Sequence, residues 1–313
     1  MAADVPLVGA PLAVTYTVAA RWEQAMQEKG PELPTDIDIT VRRALDEDVG
    51  SGDVTASLIP PQVSATATVV CRESAVICGI PWFERVFELL DPTTQIHWHV
   101  DEGALIEPDT LLCSMQGNAR VLLTGERTAL NLLQLLSGTA TVARRYAEAV
   151  AATGCRVLDT RKTIPGLRSA QKYAAACGGV KNHRIGLYDG VLIKENHLLA
   201  AGGVSCAVAS ARAAGHGLPI EVEVEDLDEC RQALAAGADI LLLDNFSLAD
   251  LREAVAMNQA RDRPALLEAS GNVALDTLPR IAATGVDYVS VGAITKHVRA
   301  VDLSMRFVLD LEH

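Results

Sequence analysis

Aromatic side chains are scarce in this chain: three Trp, five Tyr and four Phe among 313 residues. A core must then be assembled from Ala, Val, Leu and Ile, which favours packed α/β layers over an aromatic-rich sandwich. Positive charge is also in short supply, with 27 Lys and Arg against 40 Asp and Glu and a net charge of −13. That sign excludes nucleic acid as the main partner, because phosphate-backbone binding needs a broad basic face. No apolar run approaches the ~20 residues of a membrane span. Residues 1–20 lack the basic start and long apolar stretch of a secretory signal, so the expected location is the cytoplasm. The seven cysteines include no CxxC pair and no Cys/His set at zinc-finger spacing, and read as buried thiols of a reducing compartment. No GxGxxG turn is present, which removes the dinucleotide-binding fingerprint.

Along the chain, residues 1–30 are weakly patterned and read as an arm. Ile37 to Leu45 reads as a helix entering an acidic turn, Asp46 to Asp53, that lacks the alternating ligands and closing Glu of an EF-hand. From Ala65 to Gly117 the pattern turns to β, with a helix over Trp82 to Leu90. The stretch Gly103 to Leu112 resembles the turn-and-strand pattern of lipoyl carriers, but no Lys lies between Ala65 and Arg120 to be modified. Thr124 is expected to open a helix that runs toward Gly138, and a second helical stretch follows over Ala140 to Ala152. After Gly154, short apolar strands alternate with Ala- and Leu-rich helices at 156–160, 190–194, 219–225, 239–245, 265–270 and 288–294. Two of these strands have matching approaches, Ala236-Gly237-Ala238-Asp239-Ile240 and Thr284-Gly285-Val286-Asp287-Tyr288. Six repeated βα units favour a barrel over an open doubly wound sheet.

The scarce cations are not spread evenly. Arg161, Lys162, Arg168, Lys172, Lys181, Arg184 and Lys194 share one window with a single acid, Asp189. Concentrating one sign against the global sign is a way to capture a polyanionic small molecule. Barrel active sites lie at the C-terminal strand ends. Those ends carry Asp159 to Thr163, Lys194 to His197, the Glu221/Glu223/Glu225 strand, Asp244-Asn245, Glu268 to Asn272, and Gly292-Ala293. Strand parity puts the three glutamates on one face and Val222 and Val224 on the other. Glutamates pointing into the barrel need cations or a metal. With Asp244 they suit Mg²⁺ carrying a phosphorylated substrate. Ser270-Gly271 and Gly292-Ala293 suit a phosphate held on backbone N–H groups.

These residues also form motifs: Asp159-Thr160-Arg161-Lys162-Thr163-Ile164-Pro165-Gly166, Gly178 to Asp189 with Asn182-His183-Arg184 at its centre, and Ile193-Lys194-Glu195-Asn196-His197. With Gly125-Glu126-Arg127, Leu243-Asp244-Asn245, Glu268-Ala269-Ser270-Gly271 and Val291-Gly292-Ala293, they closely resemble the quinolinate phosphoribosyltransferase family, from about Ile37 to the C-terminus. The resemblance implies an α/β sandwich-like N-terminal domain over 31–130, joined by a C-terminal tail at about 298–313, and an incomplete TIM-like α/β barrel over 131–297. It implies an Mg²⁺-dependent reaction of quinolinate with phosphoribosyl pyrophosphate, giving nicotinate mononucleotide, pyrophosphate and CO₂, as a step of NAD biosynthesis. It further implies a homodimer with shared active sites.

Carried over residue by residue, Arg161, Lys162, His183, Arg184 and Lys194 would line the quinolinate pocket, with Arg127 entering from the partner subunit. Lys162, Glu223 and Asp244 would serve catalysis, the two acids near the ribose and Mg²⁺. Ser270, Gly271, Asn272, Gly292 and Ala293 would hold the 5′-phosphate. Many relatives have Thr-His-Ser where this chain has Thr295-Lys296-His297, so either Lys296 or His297 can take the phosphate contact. Two other readings remain open: a paralogous phosphoribosyltransferase acting on another carboxylated ring, and a non-catalytic phosphosugar-binding module.

Overall fold

The computed structural model describes residues 31–310, and the expected arm over 1–30 lies outside the described residues. The first layer is a four-stranded antiparallel sheet of β1 (Ser64–Cys71), β3 (Gln95–Trp98), β5 (Thr110–Asn118) and β12 (Leu303–Asp310), in the order β12-β1-β5-β3. The last strand thus completes the first sheet, with Ser64 opposite Asp310 and Cys71 opposite Leu303. On β1 the small residues Ala65, Ala67, Val69 and Cys71 alternate inward, leaving room for helices against the sheet. Helices α1 (Ile37–Val49) and α2 (Ile80–Leu90) belong to this layer, and β2 (Ala75–Val76) pairs with β4 (Leu105–Ile106) beside them. The core of this layer is mostly aliphatic, as expected, with an aromatic cluster added to it. The few aromatics are spent on α2, where Trp82, Phe83 and Phe87 are buried and Phe83 packs on Phe87 and Trp98 at 5.3 and 5.2 Å between ring centroids.

The expected helix break at Gly138 is absent. One 32-residue helix, α3 (Ala119–Val150), starts at Asn118, whose side chain accepts the Arg120 N–H at 3.0 Å. Thr124 sits inside it, its hydroxyl donating to Asp53. Gly138 is there for space, since a Cβ would lie 2.2 Å from the Arg299 carbonyl oxygen.

The second layer is a six-stranded parallel sheet made of β6 (Arg156–Leu158), β7 (Val191–Ile193), β8 (Ile220–Val224), β9 (Ile240–Asp244), β10 (Leu266–Ser270) and β11 (Tyr288–Ser290). Their order, β6-β11-β10-β9-β8-β7, is that of a barrel opened between its first two strands. A lone parallel bridge from Lys181 to Leu158 extends the open edge. Helices α4 (Arg168–Cys177), α5 (Glu195–Ala201), α6 (Val204–Ala213), α7 (Leu227–Ala236), α8 (Leu248–Gln259), α9 (Leu278–Ala282) and α10 (Ala293–Lys296) connect the strands. The final expected strand stops at Ser290, because Ala293 already belongs to α10.

The repeated approach to two strands has a physical job. Asp239 and Asp287 each accept, at 2.9 and 2.8 Å, the first free N–H of the neighbouring strand, from Ile220 and Leu267. Val222 and Val224 pack outward with Cys230 and Leu234 in the aliphatic core, so Glu221 and Glu223 face the lumen as parity requires. Glu225 does not follow them. It lies beyond the strand, exposed, with its N–H on Glu229.

Candidate active site

Two cavities open at the C-terminal strand ends and share Thr160, Lys162, Ser270 and Ser290. The first, about 310 Å³, is lined by Arg161, Lys162, His183, Arg184, Lys194 and Glu223, with Glu268 beside them. The second, about 470 Å³, is lined by Lys162, Asp244, Ser270, Gly271, Asn272, Gly292, Ala293, Lys296 and His297. Every expected site residue but one therefore lines one of these spaces. The exception is Arg127, whose side chain is 59% exposed on α3 with Glu126 as its nearest acid at 3.8 Å.

The cationic cavity is built on a buried frame. Asp159, at the end of β6, accepts from Lys172 Nζ at 2.5 Å, Asn182 Nδ2 at 2.7 Å and the His183 N–H at 2.8 Å. Lys172 also donates to the His183 carbonyl at 2.8 Å, so one ion pair grips both ends of the His183 peptide. Burial raises the Asp159 pKa and lowers that of Lys172, and their mutual attraction opposes both shifts. Lys172 is thus not part of a substrate-facing basic surface. Arg168 is also diverted, to Thr163 and the Ile185 carbonyl. Gln171 accepts from the Ile164 N–H and donates to the Thr295 carbonyl, while Thr295 donates to the Lys162 carbonyl. Those bonds fix the loop that carries Arg161 and Lys162. Lys172→Met should therefore destabilise the fold by about 3–5 kcal/mol, because it strands Asp159 as an unpaired buried charge. A thermal melt that matches wild type would contradict this.

His183 is engaged at both ring nitrogens. Its Nδ1 accepts the Arg184 N–H at 2.8 Å, and its Nε2 lies 3.1 Å from Glu221 and 3.5 Å from Glu268. Burial alone lowers the ring's pKa, but the Glu268 and Glu221 carboxylates outweigh it and push it up to about 11. The Arg184 amide occupies the Nδ1 lone pair, so the ring as folded carries its proton on Nε2. The two carboxylates favour a second proton on the ring, and taking it up at Nδ1 releases the Arg184 N–H, so the bond to Arg184 belongs to the neutral ring.

Sequence reasoning grouped Glu221 with the Mg²⁺ carboxylates, whereas it lies against His183; it left Glu268 without a role and missed Asp159 and Lys172 as the frame. A lysine in the middle of the Ala-rich α4 was the available signal. Glu268 is 1% exposed and neither of its oxygens accepts a hydrogen bond among the described residues.

The cations are set for an anion. Burial first, and then the charge of Arg161, hold the Arg184 guanidinium below its ordinary pKa. Arg161 Nε is itself buried with no hydrogen-bond partner among the described residues. Lys194 rests on Glu223, a pair an incoming carboxylate can split. In the second cavity, Gly271 has φ +96°, and a Cβ there would lie 2.1 Å from Asn245 Oδ1. Only glycine lets these two strand ends approach so closely.

Comparison with known proteins agrees over both layers. The family description "Quinolinate phosphoribosyl transferase, C-terminal domain" matches residues 139–306, and its N-terminal counterpart matches 38–137. A probable nicotinate-nucleotide pyrophosphorylase [carboxylating] of Synechocystis is 42% identical over 273 residues, covering 87% of this chain and 92% of that protein. The probable enzyme of the same name from Bacillus subtilis is 40% identical over 267 residues, covering 85% and 91%. The solved nicotinate-nucleotide pyrophosphorylase of Francisella tularensis superposes with a TM-score of 0.85 at 45% identity, over 89% of this chain and 98% of that one.

Proposed function

The chain belongs to the quinolinate phosphoribosyltransferase family, pentosyltransferases of NAD biosynthesis, and we propose how its residues divide that reaction. The 310 Å³ cavity takes quinolinate and the 470 Å³ cavity takes the phosphoribosyl group, with Lys162 between them. The observation that carries this assignment is the pair Arg161 and Arg184, two guanidiniums held beside each other in a partly buried wall. Like charges stay together there when a dianion is the usual guest, and adjacent ring carboxylates match Arg forks. Incubation with phosphoribosyl pyrophosphate, Mg²⁺ and quinolinate should yield nicotinate mononucleotide with equimolar pyrophosphate and CO₂. Absence of the nucleotide product would sink the reading.

As pyrophosphate departs, positive charge grows on the ribose anomeric carbon, and Glu223 and Asp244 stabilise it from the strand ends. The pyridine nitrogen then attacks that carbon. Loss of CO₂ from the adjacent ring carbon leaves an electron pair that the cationic ring and nearby Lys162 or Arg161 stabilise until that carbon takes up a proton from water. Ser270, Gly271, Asn272, Gly292 and Ala293 hold the 5′-phosphate, with Lys296 or His297 supplying a positive charge.

Mg²⁺ is the cofactor this scheme requires. The donors at the rim are carboxylate oxygens, which suit a hard cation. Their crowding is visible at Glu225, exposed yet in part desolvated by its neighbours, whose carboxyl is pushed above its ordinary value by that desolvation and then by Glu195, Glu229, Asp244 and Glu223. Glu223 and Asp244 would hold the ion through water and pyrophosphate, and it would supply charge neutralisation for the leaving group. We further place the enzyme in the cytoplasm as a homodimer, with Arg127 serving the neighbouring subunit's pocket. Leu187 and Tyr188, 75% and 78% exposed just after Arg184, offer an apolar surface for a second copy.

Two substitutions test the division of labour. Arg161→Lys keeps the charge but loses the fork, and each charged hydrogen bond is worth about 1.5–3 kcal/mol. Quinolinate kcat/KM should fall at least tenfold with the melting temperature unchanged, and wild-type kinetics would remove Arg161 from the pocket. Glu223→Gln and Asp244→Asn should lower kcat more than they raise the quinolinate KM. A change confined to quinolinate KM would reassign both residues.

A further inference from the structure

One titratable cluster lies away from both cavities. Cys78, just before α2, Glu102, in the turn after β3, and Cys177, the last residue of α4, bring their ligand atoms within 4.8 Å of one another. We propose that Cys78 and Cys177 are an oxidisable dithiol whose disulfide ties the N-terminal layer to the barrel and weakens the quinolinate pocket.

The three groups are unlike in ways that suit thiol–disulfide exchange. Cys177 is partly exposed, whereas Cys78 is buried. The Cys78 thiol is in hydrogen-bonding contact with Cys177, and that contact, against burial, lowers the Cys177 pKa. Burial and the neighbouring Cys177 and Glu102 raise the Cys78 pKa well above its usual value. The reachable thiol is therefore the better nucleophile, and the buried one is poised to resolve. Glu102 is held rigid beneath Cys78, its two oxygens accepting the Gly79 and Ile80 N–H groups at 2.8 and 3.0 Å. It is placed to take the Cys78 proton.

The oxidant is a low-molecular-weight disulfide. Cys177 thiolate attacks one of its sulfurs, the oxidant's S–S bond breaks, and one thiol leaves with a proton. Cys78 then gives its proton to Glu102 and attacks the Cys177 sulfur. The second small thiol departs as a thiolate and takes the proton that Glu102 passes on through water. The protein loses two S–H bonds and gains one S–S bond, and the oxidant is reduced to two thiols.

The consequence for the pocket follows from what each cysteine is tied to. Cys78 is pinned to α3, where Ser137 Oγ accepts its N–H at 3.0 Å and donates to its carbonyl at 3.1 Å. Closing the bond must therefore draw on Cys177. After Cys177 the chain runs through Gly178, whose carbonyl accepts from Arg144 Nε at 3.1 Å, to the Lys181 bridge and then to His183 and Arg184. This half of the inference rests on the assignment of His183 and Arg184 to the quinolinate pocket.

The test uses the full chain with Cys206→Ser, which removes the exposed thiol. Treatment with oxidised glutathione should give a peptide pair cross-linked through Cys78 and Cys177 and raise the quinolinate KM at least fivefold, reversed by dithiothreitol. Adding Cys78→Ala or Cys177→Ser should leave unoxidised activity within twofold of wild type and abolish the cross-link. Cys177 stopping at a mixed disulfide with glutathione would overturn the proposal, as would a purified protein that carries equimolar zinc on these groups. A complete cross-link with unchanged quinolinate KM would overturn the coupling to the pocket. The cross-link is read by mass, so its outcome stands apart from whether quinolinate is the substrate.

Discussion

Nicotinate should be a poor substrate, with kcat/KM at least about a hundredfold below that for quinolinate under the same phosphoribosyl pyrophosphate and Mg²⁺. Nicotinate lacks the carboxylate beside the ring nitrogen. Bound in the 310 Å³ cavity, it leaves part of the Arg161, Arg184 and Lys194 set without an anion. Removing one partner from a desolvated charge pair costs about 3–5 kcal/mol, and every 1.4 kcal/mol is about a factor of ten. Lys194 can fall back on Glu223, with which it is paired. Arg161 Nε has no such alternative among the described residues, so the penalty centres on the arginine wall. Lys194→Met should then shrink the discrimination less than Arg161→Met does. Equal rates on the two acids would mean that the cavity reads only one carboxylate.

Mixed dimers should recover activity that neither parent has. Arg127→Ala and Lys194→Ala are each expected to inactivate the homodimer. Arg127 sits exposed on α3 and lines neither cavity, while Lys194 lies at the end of β7 inside the cationic one. If Arg127 completes the neighbour's pocket, co-refolding the two variants gives one site with both residues intact and one with neither. A statistical mixture is half heterodimer, with one good site of two, so about a quarter of wild-type nicotinate mononucleotide formation should return. Heterodimers demonstrated by mass but without activity would return Arg127 to its own subunit or remove it from the site.

The parts of this fold that were legible in sequence are those where one residue has one job. Strand ends announce themselves because apolar runs stop at Lys194, Asp244 and Ser270, and each of these lines a cavity. Alternation on β8 identified which glutamates enter the lumen as far as the strand lasts, and failed at Glu225, where the strand has ended. Gly138 was misread because glycine serves two purposes. Its usual meaning near a helix end is a stop, but here it makes room for the chain at Arg299. The basic window was misread in part for a related reason. A lysine's charge is visible in sequence, but the buried Asp159 that neutralises Lys172 is thirteen residues away along the chain and becomes its neighbour only once α4 folds back on β6. The frame around His183 was hidden for the same cause, since it is made of backbone atoms and of partners drawn from four elements.

The pairing of β12 with β1 orders events during synthesis. Ser64 leaves the ribosome early, yet its partner Asp310 is among the last of the described residues to appear. Until then β1 has only β5 beside it and presents an open edge, which is a template for another chain. The intervening parallel strands can close among themselves meanwhile, and the cost of bringing distant ends together grows only logarithmically with the chain between them. A chaperone that shields the β1 edge, or a nascent chain held at low concentration, would therefore raise the yield of folded enzyme without touching its active site. Chains cut before Leu303 would share the barrel's residues but not its solubility.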